Sequence, residues 1–180
     1  MKFKRILIDR KSGQCLNTGY LPYVIFFYEK YSKYLNDDYF DMQSQSIINK
    51  IINIIEKTSP YFWVITNGEN DEFAGFVFLD NLVGIGKTLH SAELTTCFSP
   101  KYWGAFTKVC AKKFLRYCFK NYGLKKIKAC IFPQNLRVRN LLKQSGFKSE
   151  GVLKSETLRG GKLQDVEVFG CFPEKDFEKS

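Results

Sequence analysis

Apolar positions along the chain change their period several times, and each change marks an element. Lys4 to Ile8 alternates apolar with polar side chains, which predicts a short strand, because a strand turns successive side chains to opposite faces. Between Tyr23 and Leu35 the spacing lengthens: Val24, Phe27, Tyr28, Tyr31, Tyr34 and Leu35 recur at helical intervals, so an amphipathic helix with an aromatic core face is expected. A polar stretch, Asn36 to Gln45, follows. Ser46 can then cap a second helix, whose isoleucines at 47, 48, 51, 52, 54 and 55 are dense enough to face an interior over a wide arc, before Pro60 marks the exit.

Tyr61 to Thr66 and Phe73 to Leu79 are β-branched and aromatic runs joined by AsnGlyGluAsnAsp, which predicts an antiparallel hairpin. A looser segment, Asp80 to Lys87, leads to a third strand near His90 to Phe98. Trp103 to Tyr122 places Phe106, Val109, Cys110, Phe114, Leu115 and Cys118 on one face, predicting a long helix that stops before Gly123. Lys126 to Phe132 is another strand. Asn135 can then accept from the first unpaired amides of a helix reaching Ser145, with Leu136, Leu141 and Leu142 near one face and Gly146 as the left-handed residue that ends it. Strands over Phe147 to Leu158 and Leu163 to Phe172, joined by ArgGlyGlyLys, close the series. A strand, helix, strand passage at the centre implies a parallel crossover, and the flanking hairpins imply antiparallel pairs. The expected class is therefore α/β (α+β) with a mixed sheet of about six to seven strands and about four helices.

Composition narrows this further. At 180 residues and 44% hydrophobic content, one domain with a substantial core is expected. Lys2, Lys4 and Arg5 have no apolar run behind them, and stretches such as Val24 to Tyr28 are far too short to span a bilayer, so the expectation is a soluble, cytoplasmic protein with no membrane partner. The 6 cysteines form no CxxC pair and sit in contexts such as ValCysAla and AlaCysIle, which predicts buried free thiols. With 1 histidine, neither a metal site nor a Ser/His/Asp triad is expected. The net charge is +10, and Lys101, Lys108, Lys112, Lys113, Arg116, Lys120, Lys125, Lys126 and Lys128 concentrate it. Such a cluster is a solvated helix face, a surface for nucleic acid or ribosome, or a landing place for a polyanionic cofactor.

Two motifs carry a family resemblance. Pro133 to Gly151, PQNLRVRNLLKQSGFKSEG, encodes a helix with both ends marked and a strand that starts at Phe147. Glu93 to Lys108 contains SerProLysTyrTrpGly ahead of a helix. Together they resemble motifs B and A of the GNAT superfamily of acyl-CoA N-acyltransferases, most closely the Rim-type protein N-terminal acetyltransferases, and the likeness spans roughly 60 to 172. The resemblance implies a single GNAT-like domain over 1–180, with acceptor-side helices in 1–59 and a cofactor-binding core in 60–172. It also implies acetyl-CoA as cofactor, lying in a splayed gap between strands 90–98 and 126–132. A loop at a helix N-terminus suits a diphosphate because unpaired amides and the helix dipole both favour negative charge. The implied cofactor contacts are Cys97, Phe98, Lys101, Tyr102, Trp103, Gly104, Ala105, Phe106, Thr107, Asn135 and Asn140.

By its position before SerPro, Glu93 matches the carboxylate that draws a proton from the incoming ammonium, and a carboxylate with a raised pKa suits that work. Asp80 and His90 are alternatives. No residue is named as the general acid, since the position four before the motif B glycine, a tyrosine in many members, is Leu142; Tyr102 is a candidate. Other departures are Phe106 where the family has Gly or Ala, Val138 in place of a serine, and Asn140 in place of a basic residue. Asp165 matches a structural acidic position. GlyIleGlyLysThr, 84–88, ends like a Walker A loop, but Asn81 stands where its first glycine belongs and the segment runs into a strand, so a flexible loop beside the acceptor site is expected.

The activity implied is direct acetyl transfer, in a ternary complex, to a primary amine. A protein N-terminus, a lysine, an aminoglycoside or an aminoacyl-tRNA all qualify, and the basic surface leans toward a protein or ribosomal component. Phe106, Val138 and Leu142 motivate a second class, a GNAT-like scaffold without catalysis that binds or assembles; a nucleic-acid-associated protein is the third. A monomer or a homodimer is compatible with all three.

Overall fold

Aromatic and β-branched runs supply a long sheet, and apolar periodicity supplies the helices between its strands. The computed structural model describes residues 1–43, 45–85 and 88–173. In chain order they form β1 (Lys2–Arg5), β2 (Leu7–Asp9), β3 (Gln14–Leu16), α1 (Leu21–Lys30), α2 (Ser32–Leu35), α3 (Asp38–Asp41), α4 (Ile47–Thr58), β4 (Phe62–Thr66), β5 (Phe73–Ile85), β6 (Thr88–Phe98), α5 (Ala105–Tyr122), β7 (Lys126–Ile131), α6 (Leu136–Gln144), β8 (Lys148–Arg159) and β9 (Lys162–Cys171). Seven strands form one sheet in the order β1-β4-β5-β6-β7-β9-β8, and β2 pairs β3 separately. The sheet is mixed as expected: β6 and β7 are parallel, whereas β1 with β4, β4 with β5, β7 with β9 and β8 with β9 are antiparallel.

Several expectations are corrected. Lys4 to Ile8 is two strands rather than one, interrupted at the fully buried Ile6. The helix expected to reach Leu35 breaks at Tyr31, and the polar stretch after it contains α3. Asp80 to Ile85 is not a loose segment but the outer part of β5, whose first seven residues are buried and last five exposed; the Walker-like run accordingly ends one strand and begins the next, with Gly86 and Lys87 outside the described residues. Cys97, Cys110, Cys118 and Cys171 are buried, but Cys15 and Cys130 are exposed. Val109 and Leu136, expected on apolar faces, are 48% and 58% exposed.

Two compact units account for the chain. The first comprises Met1–Leu79 with Thr95–Trp103, the second Asp80–Leu94 with Gly104 onward. The first is built around Ile6, Val24, Tyr28, Ile51, Ile55, Phe62, Val64, Phe76 and Phe78, side chains whose burial is worth roughly 1.5–3 kcal/mol each. Its rings stack, Phe62 on Phe78 at 5.2 Å between centroids and on Phe76 at 5.8 Å. Polar groups in this core are paired: the Tyr28 hydroxyl donates to Asn36 Oδ1 at 2.7 Å, and Asn36 Nδ2 donates to Asp41 Oδ1 at 2.9 Å. The buried Lys50 reaches from α4 to the end of α3, donating to the carbonyls of Phe40 and Asp41 at 2.9 and 3.1 Å. Gly75 is required on β5 because a Cβ there would run into the Cys97 carbonyl oxygen.

In the second unit, α5 buries Cys110, Phe114, Leu115, Cys118 and Phe119, and α6 buries Leu142. Phe147, just past the Gly146 turn at φ 97°, is buried too. Glu167 on β9 is buried, and one of its oxygens receives both Arg139 Nε and Nη2 at 2.7 Å. At the sheet margin, β8 carries exposed Val152 and Leu153, its register with β9 shifts twice, and Ser155 lies at φ 52°. Asp165 holds this region, accepting from Lys154 Nζ at 2.8 Å and from the Ser155 amide at 3.0 Å. That is the structural part expected of it.

Candidate active site

Helix geometry leaves the first amides of any α-helix without an i−4 carbonyl, and α5 leaves them in an open setting. Its N-cap is Gly104, at φ 104°, ψ −125°, with no side-chain cap hydrogen bond. A Cβ at Gly104 would meet nothing within 4 Å. The first main-chain bond into the helix runs from the Lys108 amide to the Gly104 carbonyl at 3.2 Å. The Ala105 and Thr107 amides ahead of it therefore have no main-chain partner among the described residues. Thr107 turns its hydroxyl inward, donating to the Gly104 carbonyl at 2.9 Å, and is buried. Phe106 is half-buried, and Ala105 and Lys108 are exposed.

The SerProLysTyrTrp segment that leads into Gly104 is fixed by side chains of the first unit. Trp103 Nε1 donates to the Phe98 carbonyl at 3.1 Å, and its ring lies 6.2 Å from that of Tyr31. Lys101 grips both oxygens of Glu72 at 2.6 and 2.7 Å. That contact raises Lys101 above its ordinary value and holds Glu72 below its own. The Tyr102 hydroxyl is itself raised, first by burial and then by Glu72. Cys97 and Phe98 are buried, and burial pushes the Cys97 thiol up to about 12. Their side chains are core, so what these positions can offer a ligand is main chain.

Glu93 lies in the second unit, on β6. Its Cα is paired with Lys128 of β7, the last partner in a parallel run that begins at Ser91 with Lys126, although β7 continues to Ile131. Asn81 Nδ2 donates to Glu93 Oε2 at 3.1 Å. Cys130, two residues beyond the final pair on β7, stands near enough for Glu93 to act on its thiol. Partial burial first, and the Glu93 charge second, push this thiol up to about 12. Asp80 also acts on Cys130 through its charge, whereas His90 is exposed and accepts the Lys125 amide at its carbonyl at 2.8 Å. Glu93 is marked by its motif, whereas Asn81, which holds it, and Cys130, which lies near it, are not. Asn81 was read only as a missing glycine, and Cys130 only as a small apolar residue. The register of β7 against β6 brings Cys130 in, and no local pattern announces it.

Asn135 caps α6 as expected, its side-chain oxygen accepting the Val138 amide at 3.4 Å. Asn140 is exposed on the same helix. Leu142 is 4% exposed, so the position that carries a tyrosine in many members of the resembled family is here part of the core.

The chain matches the family model for the acetyltransferase (GNAT) domain over residues 22–148. It is 24% identical over 139 residues to the uncharacterized N-acetyltransferase YoaA of Bacillus subtilis, covering 73% of this chain and 77% of that one. Among solved structures, spermidine N-acetyltransferase from Vibrio cholerae in complex with CoA and spermine has a TM-score of 0.70 at 22% identity, over 88% of this chain and 93% of that one. The ribosomal-protein-S5-alanine acetyltransferase from Vibrio fischeri gives a TM-score of 0.55 at 19% identity, over 63% and 62%. At such identities the structural likeness speaks for the fold, and the family match speaks for the chemistry. The chain belongs to the GNAT acetyltransferase family, whose members take their acetyl group from acetyl-CoA.

Proposed function

We propose that this protein transfers an acetyl group to a primary amine, with Glu93 as the general base and the N-terminus of α5 as the anchor for the cofactor's diphosphate. The observation that carries this is the start of α5 inside the matched family region. An 18-residue helix begins at a glycine with a positive φ, open space at its Cβ position and no side-chain cap. The residues present fit a diphosphate. The Gly104, Ala105 and Thr107 main chain would hold it, because a helix dipole and unpaired amides stabilise anions there, and Asn135 and Asn140 at α6 are further candidate contacts. When bound, acetyl-CoA supplies an acyl group activated as a thioester. The chain's own contribution is to hold the amine near Glu93, take its proton there, and keep both reactants in contact, which is the main source of rate in such transfers.

For the acceptor, the net charge of +10 opposes a polycation at long range and supports an amine presented by a protein or an anionic assembly. The domain reading that goes with this assigns 1–59 to the acceptor and 60–172 to the cofactor. A second reading, a scaffold that binds without transferring, is favoured by the buried Leu142, which leaves no hydroxyl at that position.

Titration with acetyl-CoA followed by thermal unfolding, and release of CoA thiol with spermidine or with a peptide bearing an N-terminal alanine, separate these readings. Saturation at a hundredfold the dissociation constant should stabilise the fold by about 2.7 kcal/mol. Thiol release should be faster with the peptide than with spermidine, and Glu93→Gln should lower kcat by about 10²–10⁴-fold. Stabilisation without release with any amine, or no stabilisation at millimolar acetyl-CoA, sinks the transfer reading in favour of the scaffold.

A further inference from the structure

Asn81 stands in the middle of β5 with φ 45°, a left-handed conformation within an otherwise extended strand of 13 residues. Side chains other than Gly, Asn and Asp pay for that conformation, and a strand gains nothing from it locally. What the kink accompanies is a contact: Asn81 Nδ2 donates to Glu93 Oε2 at 3.1 Å. Cys130, on the opposite neighbouring strand, feels the charge of the same carboxylate. The carboxylate is thus held from β5 while it rides on β6.

We propose that Asn81 is a positioning residue, which fixes the Glu93 carboxylate by donating to one of its oxygens. This rests on the reading of Glu93 as the base. An amide donates to a carboxylate without competing for its proton. The nearby Cys130 thiol remains S–H at working pH, because partial burial first and Glu93's charge second push it up to about 12, with Asp80 adding to the rise and Lys128 offsetting it. It therefore does not face Glu93 as a second anion. A base aimed in this way does not have to be re-oriented at each turnover, and a misaligned reacting group is costly.

Asn81→Gly is the informative variant, since glycine keeps the left-handed backbone and removes only the amide. Its kcat should fall about ten- to a hundredfold, with KM for acetyl-CoA and for the amine, spermidine or the alanyl peptide, within about twofold. Asn81→Asp, which tolerates the same φ but sets a carboxylate against Glu93, should fall further. In a Glu93→Gln background the Asn81→Gly loss should vanish, because the two residues act as one unit. An unchanged kcat in Asn81→Gly, or a loss that persists undiminished beside Glu93→Gln, overturns the proposal while leaving Glu93 as base. An unchanged kcat in Glu93→Gln removes the base reading itself, and Asn81's part with it.

A readout that needs no acceptor accompanies these. Alkylation of Cys130 by iodoacetamide follows its thiolate fraction. It should speed up severalfold in Glu93→Gln and slow in Asn81→Asp, and rates equal to wild type in both place residues 81 and 93 away from the thiol and defeat the arrangement.

Discussion

Lys50 shows how a charged side chain becomes a structural part. It is 8% exposed, and its ammonium does three things at once: it donates to two carbonyls at the end of α3 and lies 5.1 Å over the Phe40 ring. A four-residue helix has no dipole or length to hold itself, so its terminal carbonyls need an outside donor. Lys50→Met keeps the stem and removes the donor. It should destabilise the protein by about 1–3 kcal/mol, read as a lower urea midpoint with an unchanged slope. Activity of the folded fraction should be preserved, since the Lys50 ammonium donates to main-chain carbonyls of α3. Asn81 and Gly104 are the opposite kind of residue: each accepts an uncommon backbone conformation, and in both cases the conformation stands beside candidate chemistry.

Among elements, α6 ties the motif B stretch to the sheet through Arg139, whose Nε and Nη2 both reach one oxygen of the buried Glu167 on β9. Arg139→Met would leave that carboxylate without its cation. A loss of about 2–3 kcal/mol is expected, and Arg139→Met/Glu167→Met should recover much of it, because removing both charges relieves the burial of one. Equilibrium unfolding of the two variants checks this. The elements themselves were largely legible. Ser46 and Asn135 each sit where a helix starts, and the isoleucines of α4 and the turn at Gly146 follow their periods. What the pattern hid has physical reasons. Asp80 to Ile85 contains Asp, Asn and Gly, the residues of turns, yet it extends β5 because pairing with a neighbour outweighs local preference. Tyr31 fits the helical period but ends α1, and Leu136 fits the apolar face of α6 but lies in its first turn, exposed. The candidate site was legible where it is local, at SerProLysTyrTrpGly and Glu93, and hidden where it depends on which strands lie side by side, as for Cys130.

For the whole molecule, stability should follow pH through a few identifiable pairs. Asp9 is held low first by the Ser12 hydroxyl, Asp71 by Lys4, Glu72 by Lys101 and Asp165 by Lys154. Because each is depressed in the folded state, its contribution is complete at neutral pH, starts to fade below the ordinary carboxylate range near 4, and is gone once the folded group is protonated. Lys4 and Lys101 are raised, first by Asp71 and by Glu72 respectively, so their contribution is whole below 10.5 and lost as the pH climbs past their raised values. The melting temperature should therefore be flat between these limits and fall outside them. The ion pairs among these are all partly open to solvent, so 1 M salt should flatten the acid limb. A melting profile that peaked sharply near neutrality would contradict this.

Among the described residues the sheet ends at β8, and an edge strand with apolar side chains would ordinarily recruit a stranger of the same kind. Here two register shifts and the left-handed Ser155 spoil the regular ladder that such recruitment needs, and Lys148 and Lys154 add charge along it. The irregularity that looks like poor strand geometry is thus a safeguard during synthesis and crowding. A relative that straightened it would gain regular pairing and lose its resistance to forming fibrils.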